Sequence, residues 1–158
     1  MSGMNKWDKH WFLQAQLCAS LSKDPSTKTG AVIVAPNNRL VSSGYNGLPQ
    51  GIGDPPEWLE NRDLKLQVII HSELNAILFA ERGILRGCRI YIWPLMPCSQ
   101  CAGAIAQVGI SEVIAPISDI PRWAESFRLS KEILEKKGIK IRLYEKSEIP
   151  YVDFSQFL

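Results

Sequence analysis

The sequence predicts an α/β domain in which helices cover both faces of one sheet. Segments with a helical spacing of apolar residues alternate with strand-like segments in the order helix, two strands, helix, strand, helix, strand, helix, strand. A helix-length segment separates the fourth and fifth strands. These two strands should therefore pair in parallel, because a crossing helix can join parallel strands and a tight turn cannot.

The first half of the chain predicts a helix, a hairpin and a long loop. Residues 5–22 have the apolar spacing of a helix. Residues 31–35 and 39–43 are strand-like and flank a Pro-Asn-Asn turn, which indicates an antiparallel hairpin. Residues 44–67 contain repeated glycines and prolines and predict a loop with one short helix near Trp58. Loops this long inside a small domain are usually functional.

The second half alternates helices with strands. Residues 88–93 and 112–116 are apolar nearly throughout, which is typical of strands buried on both faces. Pro121 should begin the last helix, and Gly138 should end it as a C-terminal cap. The predicted helices are residues 70–82, 98–108 and 121–137, and a final strand covers residues 139–144.

Composition limits the kind of protein this is. A chain of 158 residues suits one domain, expected to span residues 1–158 with a core of about 5–145 and a C-terminal tail of 146–158. The net charge of +2 argues against strong electrostatic binding of nucleic acid. No apolar run approaches the roughly 20 residues of a membrane span. We expect a cytoplasmic protein with reduced cysteines, since the N-terminus lacks the apolar segment of a signal peptide.

Two short motifs indicate chemistry: His-Ser-Glu at 71–73 and Pro-Cys-Ser-Gln-Cys at 97–101. One imidazole and two thiols provide three zinc ligands, His71, Cys98 and Cys101. A structural zinc site normally closes its fourth position with protein, whereas a catalytic site leaves that position to water. Glu73, two residues after the first ligand, supplies a carboxylate for acid–base chemistry. Three ligands with a nearby carboxylate therefore predict a catalytic zinc site.

Other interpretations of the same residues remain open. A redox dithiol would explain the cysteine pair, but it requires neither the upstream His-x-Glu nor the proline before Cys98. A structural zinc site would need a fourth ligand, and the remaining histidine and cysteines, His10, Cys18 and Cys88, are not paired with a ligand partner. Glu73 alone would be an ordinary solvated helix residue. Its position next to a metal ligand favours the catalytic interpretation.

The motifs resemble those of the cytidine deaminase superfamily, in particular the deoxycytidylate (dCMP) deaminase family. The pattern H-x-E followed by P-C-x-x-C is the signature of zinc-dependent nucleobase deaminases. The sequence Glu-Leu-Asn-Ala-Ile after the histidine and the earlier Gly-Tyr-Asn-Gly narrow the resemblance to the dCMP branch. The matching stretches are residues 24–31, 44–47, 71–77 and 97–102, and the resemblance covers about residues 5–145.

The resemblance implies a three-layer α/β/α fold of the cytidine-deaminase type with a five-stranded mixed sheet. It also implies one Zn²⁺ on the three ligands above, with Glu73 as the proton shuttle. Asn46 would hold the sugar, and the backbone N–H of Ser72 would contact the base carbonyl. Lys28 is a candidate for the 5′-phosphate, with a solvated surface lysine as the alternative.

The implied activity is hydrolysis of dCMP to dUMP with release of ammonia, which supplies a precursor of dTTP. The resemblance allows for dCTP or dTTP as regulators, together with Mg²⁺, because Gly-Tyr-Asn-Gly resembles a regulator-binding segment. It also implies a homo-oligomer, from dimer to hexamer. Apolar residues in the 44–67 loop and the aromatic tail agree with such an assembly.

Two segments depart from the family pattern. Residues 91–97 are one residue longer than the usual connection, and residues 117–123 do not resemble the usual substrate-covering loop. Other substrates therefore stay open: another cytosine nucleotide such as dCTP or a modified dCMP, or an adenosine or guanine base. A catalytically inactive binding module is a further alternative, but loss of Glu73 would have indicated it.

Overall fold

The computed structural model of the protein describes residues 3–158. The helices are α1 (Lys6–Ala19), α2 (Pro56–Leu59), α3 (Arg62–Val68), α4 (Ser72–Leu78), α5 (Ser99–Gln107) and α6 (Ala124–Lys137). The strands are β1 (Gly30–Val34), β2 (Leu40–Tyr45), β3 (Arg89–Trp93), β4 (Glu112–Pro116) and β5 (Lys140–Tyr144). Among the helices of residues 3–158, none has the length and apolar character needed to cross a bilayer.

The five strands form one mixed sheet in the order β2-β1-β3-β4-β5. Strand β1 pairs antiparallel with β2 and β3, whereas the β3–β4 and β4–β5 pairs are parallel. The predicted parallel pairing of the last two strands is therefore confirmed. The three parallel strands end at the same edge of the sheet, so the segments that follow them are brought together there.

Alternate residues of the strands enter two separate apolar clusters, one on each face of the sheet. On one face, Ile33 and Ile90 pack with apolar residues of α4, α5 and α6. On the other face, Val32 and Tyr91 pack with Phe12 and its neighbours on α1. The sheet thus lies between two helical layers, which confirms the predicted α/β/α architecture.

The helix that carries part of the candidate site lies unusually close to the sheet at Gly44 in β2. A Cβ atom at this position would lie 2.4 Å from the backbone nitrogen of Ala76 and 2.5 Å from the carbonyl oxygen of Ser72, both in α4. Only glycine fits this approach, because no real side chain tolerates backbone contacts that short. Gly44 thereby sets the depth at which α4 packs.

The C-terminal tail lies against the first helical layer. Gln16 of α1 donates a hydrogen bond to the carbonyl of Pro150 at 2.7 Å and accepts one from the N–H of Val152 at 3.0 Å. Ile149 is buried in the cluster on the α1 face. Phe157, at the end of the tail, remains 71% exposed. The tail therefore covers part of the body of its own chain and leaves its last aromatic residue in solvent.

Several boundaries differ from the sequence prediction. The last part of the predicted 44–67 loop instead belongs to α3 (Arg62–Val68), whose N-cap Asn61 accepts a hydrogen bond from the N–H of Leu64. Helix α4 is shorter than the predicted 70–82. The segment from Pro121 to Trp123 forms a 3₁₀ turn, so α6 begins three residues later than predicted. Gly138 ends α6 with a φ of 82°, as expected of a C-terminal cap.

Candidate active site

The three predicted metal ligands lie together where the N-termini of α4 and α5 converge. His71 is the N-cap of α4, Cys98 is the N-cap of α5, and Cys101 lies in the first turn of α5. The Nδ1 atom of His71 is 3.4 Å from Sγ of Cys98 and 3.5 Å from Sγ of Cys101. All three ligand atoms lie within 4.8 Å of one another.

This spacing fits a tetrahedral zinc ion. Zinc–sulfur bonds of about 2.3 Å and zinc–nitrogen bonds of about 2.0–2.1 Å at tetrahedral angles place nitrogen and sulfur roughly 3.6 Å apart. The two observed nitrogen–sulfur distances, 3.4 and 3.5 Å, are close to that value. Within residues 3–158, no further histidine, cysteine or carboxylate joins the group as a fourth ligand. The donor set therefore suits a zinc site with one position left for a non-protein ligand.

Hydrogen bonds within the ligand group favour the deprotonated form of Cys98, which is the form that binds a cation. The neighbouring Cys101 side chain, together with the hydrogen bond to His71, lowers the pKa of Cys98 well below its usual value. The same Cys98 contact, aided by burial, raises the pKa of Cys101. The backbone N–H of Cys101 also points at Cys98 Sγ, at 3.5 Å. Cys98 is thus the more readily deprotonated of the two thiols, and metal binding would require both to lose their protons.

Glu73 lies beside the ligands as a buried carboxyl group. Its side chain is 5% exposed, and burial raises its pKa above the ordinary value despite the nearby His71 ring. The fully buried hydroxyl of Ser72 donates a hydrogen bond to Oε1 of Glu73 at 2.8 Å. A carboxyl group whose pKa is raised in this way is suited to accepting a proton and returning it.

A cavity of about 290 Å³ opens onto these groups. Its volume is near the lower end of the range for small-molecule sites. One side is formed by residues 24–29 and α3, and the other by the segments that follow β3, β4 and β5. The polar and charged lining residues include Asp24, Asn46, Arg62, Lys65, His71, Glu73, Cys98, Arg122 and Lys146.

Asn46 lines this cavity and holds the loop of residues 24–29 in place. Its Oδ1 atom accepts a hydrogen bond from the N–H of Thr29 at 2.8 Å. Its Nδ2 group donates to the carbonyl of Thr27 at 2.9 Å and to Oδ2 of Asp24 at 3.3 Å. The residue predicted to contact the sugar is therefore also a structural anchor of the cavity wall.

Lys65 is a site residue that the sequence interpretation missed. It is 3% exposed, and its Nζ atom lies 2.9 Å from Oδ1 of Asp24 and 2.8 Å from Oγ of Ser26. The leucines on either side, Leu64 and Leu66, are 40% and 41% exposed. Helix α3 thus buries Lys65 and exposes two leucines, so the apolar pattern predicted no helix. The N-cap Asn61 was the available signal.

We expect Lys65→Met to destabilise the protein by about 3–5 kcal/mol, because it leaves the buried Asp24 carboxylate without its cation. Chemical denaturation measures this loss. Lys23→Met is the matched control, since Lys23 pairs with Asp54 at 2.7 Å on the surface, where solvent screens the ion pair, and its loss should change stability far less. Equal losses in the two variants would contradict a special role for the buried pair.

Lys28 lies outside the cavity. It is exposed and borders a separate shallow cleft formed with Tyr151 and Asp153 of the tail. The lysine and arginine residues that line the cavity are instead Arg62, Lys65, Arg122 and Lys146, none of which the sequence interpretation singled out. Two of them follow adjacent parallel strands, and the rule that ligands bind at the carboxyl edge of such strands could have indicated them.

Comparison with known protein families and sequences gives consistent matches. The family model described as "Cytidine and deoxycytidylate deaminase zinc-binding region" matches residues 5–116. Human deoxycytidylate deaminase is 41% identical over 144 residues, which cover 88% of this chain and 80% of that protein. An uncharacterized deaminase of Aliivibrio fischeri is 41% identical over 141 residues, covering 87% of this chain and 93% of that protein.

Solved structures share the fold. The apo form of dCMP deaminase from the cyanophage S-TIM5 aligns with a TM-score of 0.66 at 21% identity, over 89% of this chain and 100% of that one. A structure from a study of tRNA:A34 deaminases aligns with a TM-score of 0.57 at 20% identity, over 85% of this chain and 97% of that one. At these identities the likeness concerns the fold alone.

Proposed function

We propose, from the premise that this chain belongs to the cytidine and deoxycytidylate deaminase family of hydrolytic enzymes, that it converts dCMP to dUMP and releases ammonia. The observation that carries the proposal is the buried Glu73 carboxyl beside three convergent metal ligands at a cavity of about 290 Å³. Relatives named deoxycytidylate deaminase, at 37% identity in mouse and 41% in human, support dCMP as the substrate.

His71, Cys98 and Cys101 would hold one Zn²⁺ per chain. The nitrogen–sulfur distances and the lowered pKa of Cys98 support this assignment. When bound, zinc supplies the Lewis acidity that makes water an effective nucleophile near neutral pH. The N-termini of α4 and α5 both point at the cluster and add partial positive charge, which stabilises the thiolates.

Glu73 moves the protons. One carboxylate oxygen accepts a proton from the attacking water, whose oxygen forms a bond to C4 of the cytosine ring. The carboxyl group then donates that proton to ring nitrogen N3. In the second half, Glu73 accepts the remaining hydroxyl proton and passes it to the amino group. The oxygen then forms the C4=O double bond as the C4–N bond breaks, and ammonia leaves with the electron pair of the C4–N bond. The hydrogen bond from Ser72 leaves the second carboxyl oxygen available for this transfer.

Other residues would position the substrate. The second lone pair of Asn46 Oδ1 can accept a hydrogen bond from the sugar, since the protein uses only one. The backbone N–H of Ser72, at the first position of α4, is a proposed donor to the base carbonyl. The position of Lys28 outside the cavity gives no support to its predicted phosphate contact.

Assembly and regulation are further proposals. Leu78 and Phe79 at the end of α4 are 60% and 67% exposed, and such apolar surface agrees with a homo-oligomer in the range from dimer to hexamer. A place in dTTP precursor supply would follow from the proposed activity, and regulation by dCTP or dTTP with Mg²⁺ is proposed from the resemblance of residues 44–47 to a regulator-binding segment.

The substrate proposal predicts a strong preference for the nucleotide over the nucleoside. We expect kcat/KM for dCMP to exceed that for deoxycytidine by at least about 100-fold, because charge-assisted hydrogen bonds to the phosphate contribute about 1.5–3 kcal/mol each. Ammonia release from a panel of cytosine, adenine and guanine nucleosides, monophosphates and triphosphates measures this. A faster reaction with deoxycytidine, dCTP or a purine compound would overturn the assignment to dCMP.

A further inference from the structure

The charged residues that line the cavity carry an excess of positive charge. Four are cationic, and two are acidic. Lys65 and Asp24 neutralise each other in the buried pair described above. Glu73 belongs to the metal centre, where the proton chemistry takes place. The remaining three cationic residues, Arg62, Arg122 and Lys146, have no acidic residue of the cavity left to balance them.

These three residues are exposed, and none forms an ion pair with another residue in the 3–158 range. They come from three different elements: Arg62 begins α3, Arg122 lies in the 3₁₀ turn after β4, and Lys146 lies in the 3₁₀ turn after β5. Unpaired cations gathered around one concave site raise the local concentration of anions and favour an anionic ligand.

Two of the three, Arg122 and Lys146, follow adjacent parallel strands, and Lys146 lies near the segment that leads to a metal ligand. Strands β4 and β5 run parallel in register up to Pro116 and Tyr144, and the N–H of Ile117 donates to the carbonyl of Tyr144 at 2.8 Å. The segments that carry Arg122 and Lys146 therefore start side by side. The Nζ atom of Lys146 also lies 5.9 Å from the ring of Trp93, which begins the segment leading to Cys98.

We infer that Arg122 and Lys146 form the phosphate-recognition pair of this chain, binding the 5′-phosphate of a nucleoside monophosphate whose base reaches the metal centre. This inference rests on the proposed function for the identity of the base. A guanidinium group binds phosphate through two parallel hydrogen bonds, and an ammonium group adds a point charge, so the pair suits a dianionic phosphate. Both residues lie beyond the 5–116 region that matches the family model.

Single and double substitutions test the pair. Arg122→Gln and Lys146→Gln should each lower the ratio of kcat/KM for dCMP to that for deoxycytidine by roughly 10- to 100-fold, mainly through KM for dCMP. Arg39→Gln and Lys137→Gln are matched controls, because both residues are exposed and lie outside the cavity lining. An unchanged ratio in the double variant of Arg122 and Lys146 would overturn the inference, even if dCMP remained the substrate.

A binding measurement separates this inference from the proposed reaction. Calorimetry on the zinc-loaded protein compares dUMP with deoxyuridine, and dAMP and dGMP with their nucleosides. We expect the two variants to weaken monophosphate binding by the same roughly 10- to 100-fold and to leave the controls unchanged. If the two variants weaken monophosphate binding in this way but the wild-type protein does not turn over dCMP, the inference stands and the proposed function is wrong. A wild-type protein that binds no monophosphate more tightly than its nucleoside would refute the inference.

Discussion

Cys98→Ala should remove the metal and the activity together. Cys98 is the ligand with the lowered pKa, and its Sγ atom lies 3.4 Å from His71 Nδ1 and accepts the N–H of Cys101. Without this thiolate only two protein ligands remain, which is too few for a stable zinc site. Elemental analysis should find about one zinc per wild-type chain and none in the variant, with deaminase activity reduced to that of the zinc-free protein.

Loss of the helix cap could by itself cost about 0.5–2 kcal/mol, so the folded fraction of Cys98→Ala must be measured alongside. Cys88→Ala is the matched control: Cys88 is a buried cysteine whose Sγ atom donates to the carbonyl of Ile84, away from the ligand cluster. It should keep zinc and activity. X-ray absorption of the wild type should show two sulfur neighbours at about 2.3 Å. Four protein ligands, or activity without metal, would contradict the proposed centre.

The sequence was most informative where a feature depends on residues close together in the chain. The hairpin and the strand Glu112–Pro116 follow from local patterns, and both are confirmed. The three ligands come from two short motifs, and the structure brings those motifs together because two adjacent helices begin there. Spacing within each motif fixes which side chains share a helix face.

The sequence was least informative where a feature depends on pairing between distant segments. Lys65 and Asp24 are 41 positions apart, and only the folded chain shows that the lysine is buried to neutralise an aspartate. In the sequence, nothing marks Arg122 and Lys146 as site residues. The parallel pairing of β4 with β5 brings the segments that carry them to the same edge of the sheet. Apolar periodicity predicts which residues form a core, but it carries no information about charges that meet across a cavity.

Glu73→Gln should abolish proton transfer and leave the rest of the site in place. The amide has nearly the same shape, and its oxygen can still accept the hydrogen bond that Ser72 Oγ donates to Oε1. It cannot accept the proton of the attacking water, however, and it carries no proton that can be transferred to the ring. We expect kcat to fall by roughly 10²–10⁴-fold, the usual loss on removal of a general acid–base group.

Zinc content and unfolding midpoint should stay near wild type in Glu73→Gln, because neither the ligands nor the packing of α4 changes. Glu81→Gln, an exposed carboxyl group shortly after the same helix, is the matched control and should retain full activity. Steady-state kinetics with dCMP, combined with metal analysis of the same samples, distinguishes loss of the base from loss of the metal. A zinc-loaded Glu73→Gln enzyme that turns over at the wild-type rate would mean that another group moves the proton, and the mechanism proposed for Glu73 would be wrong.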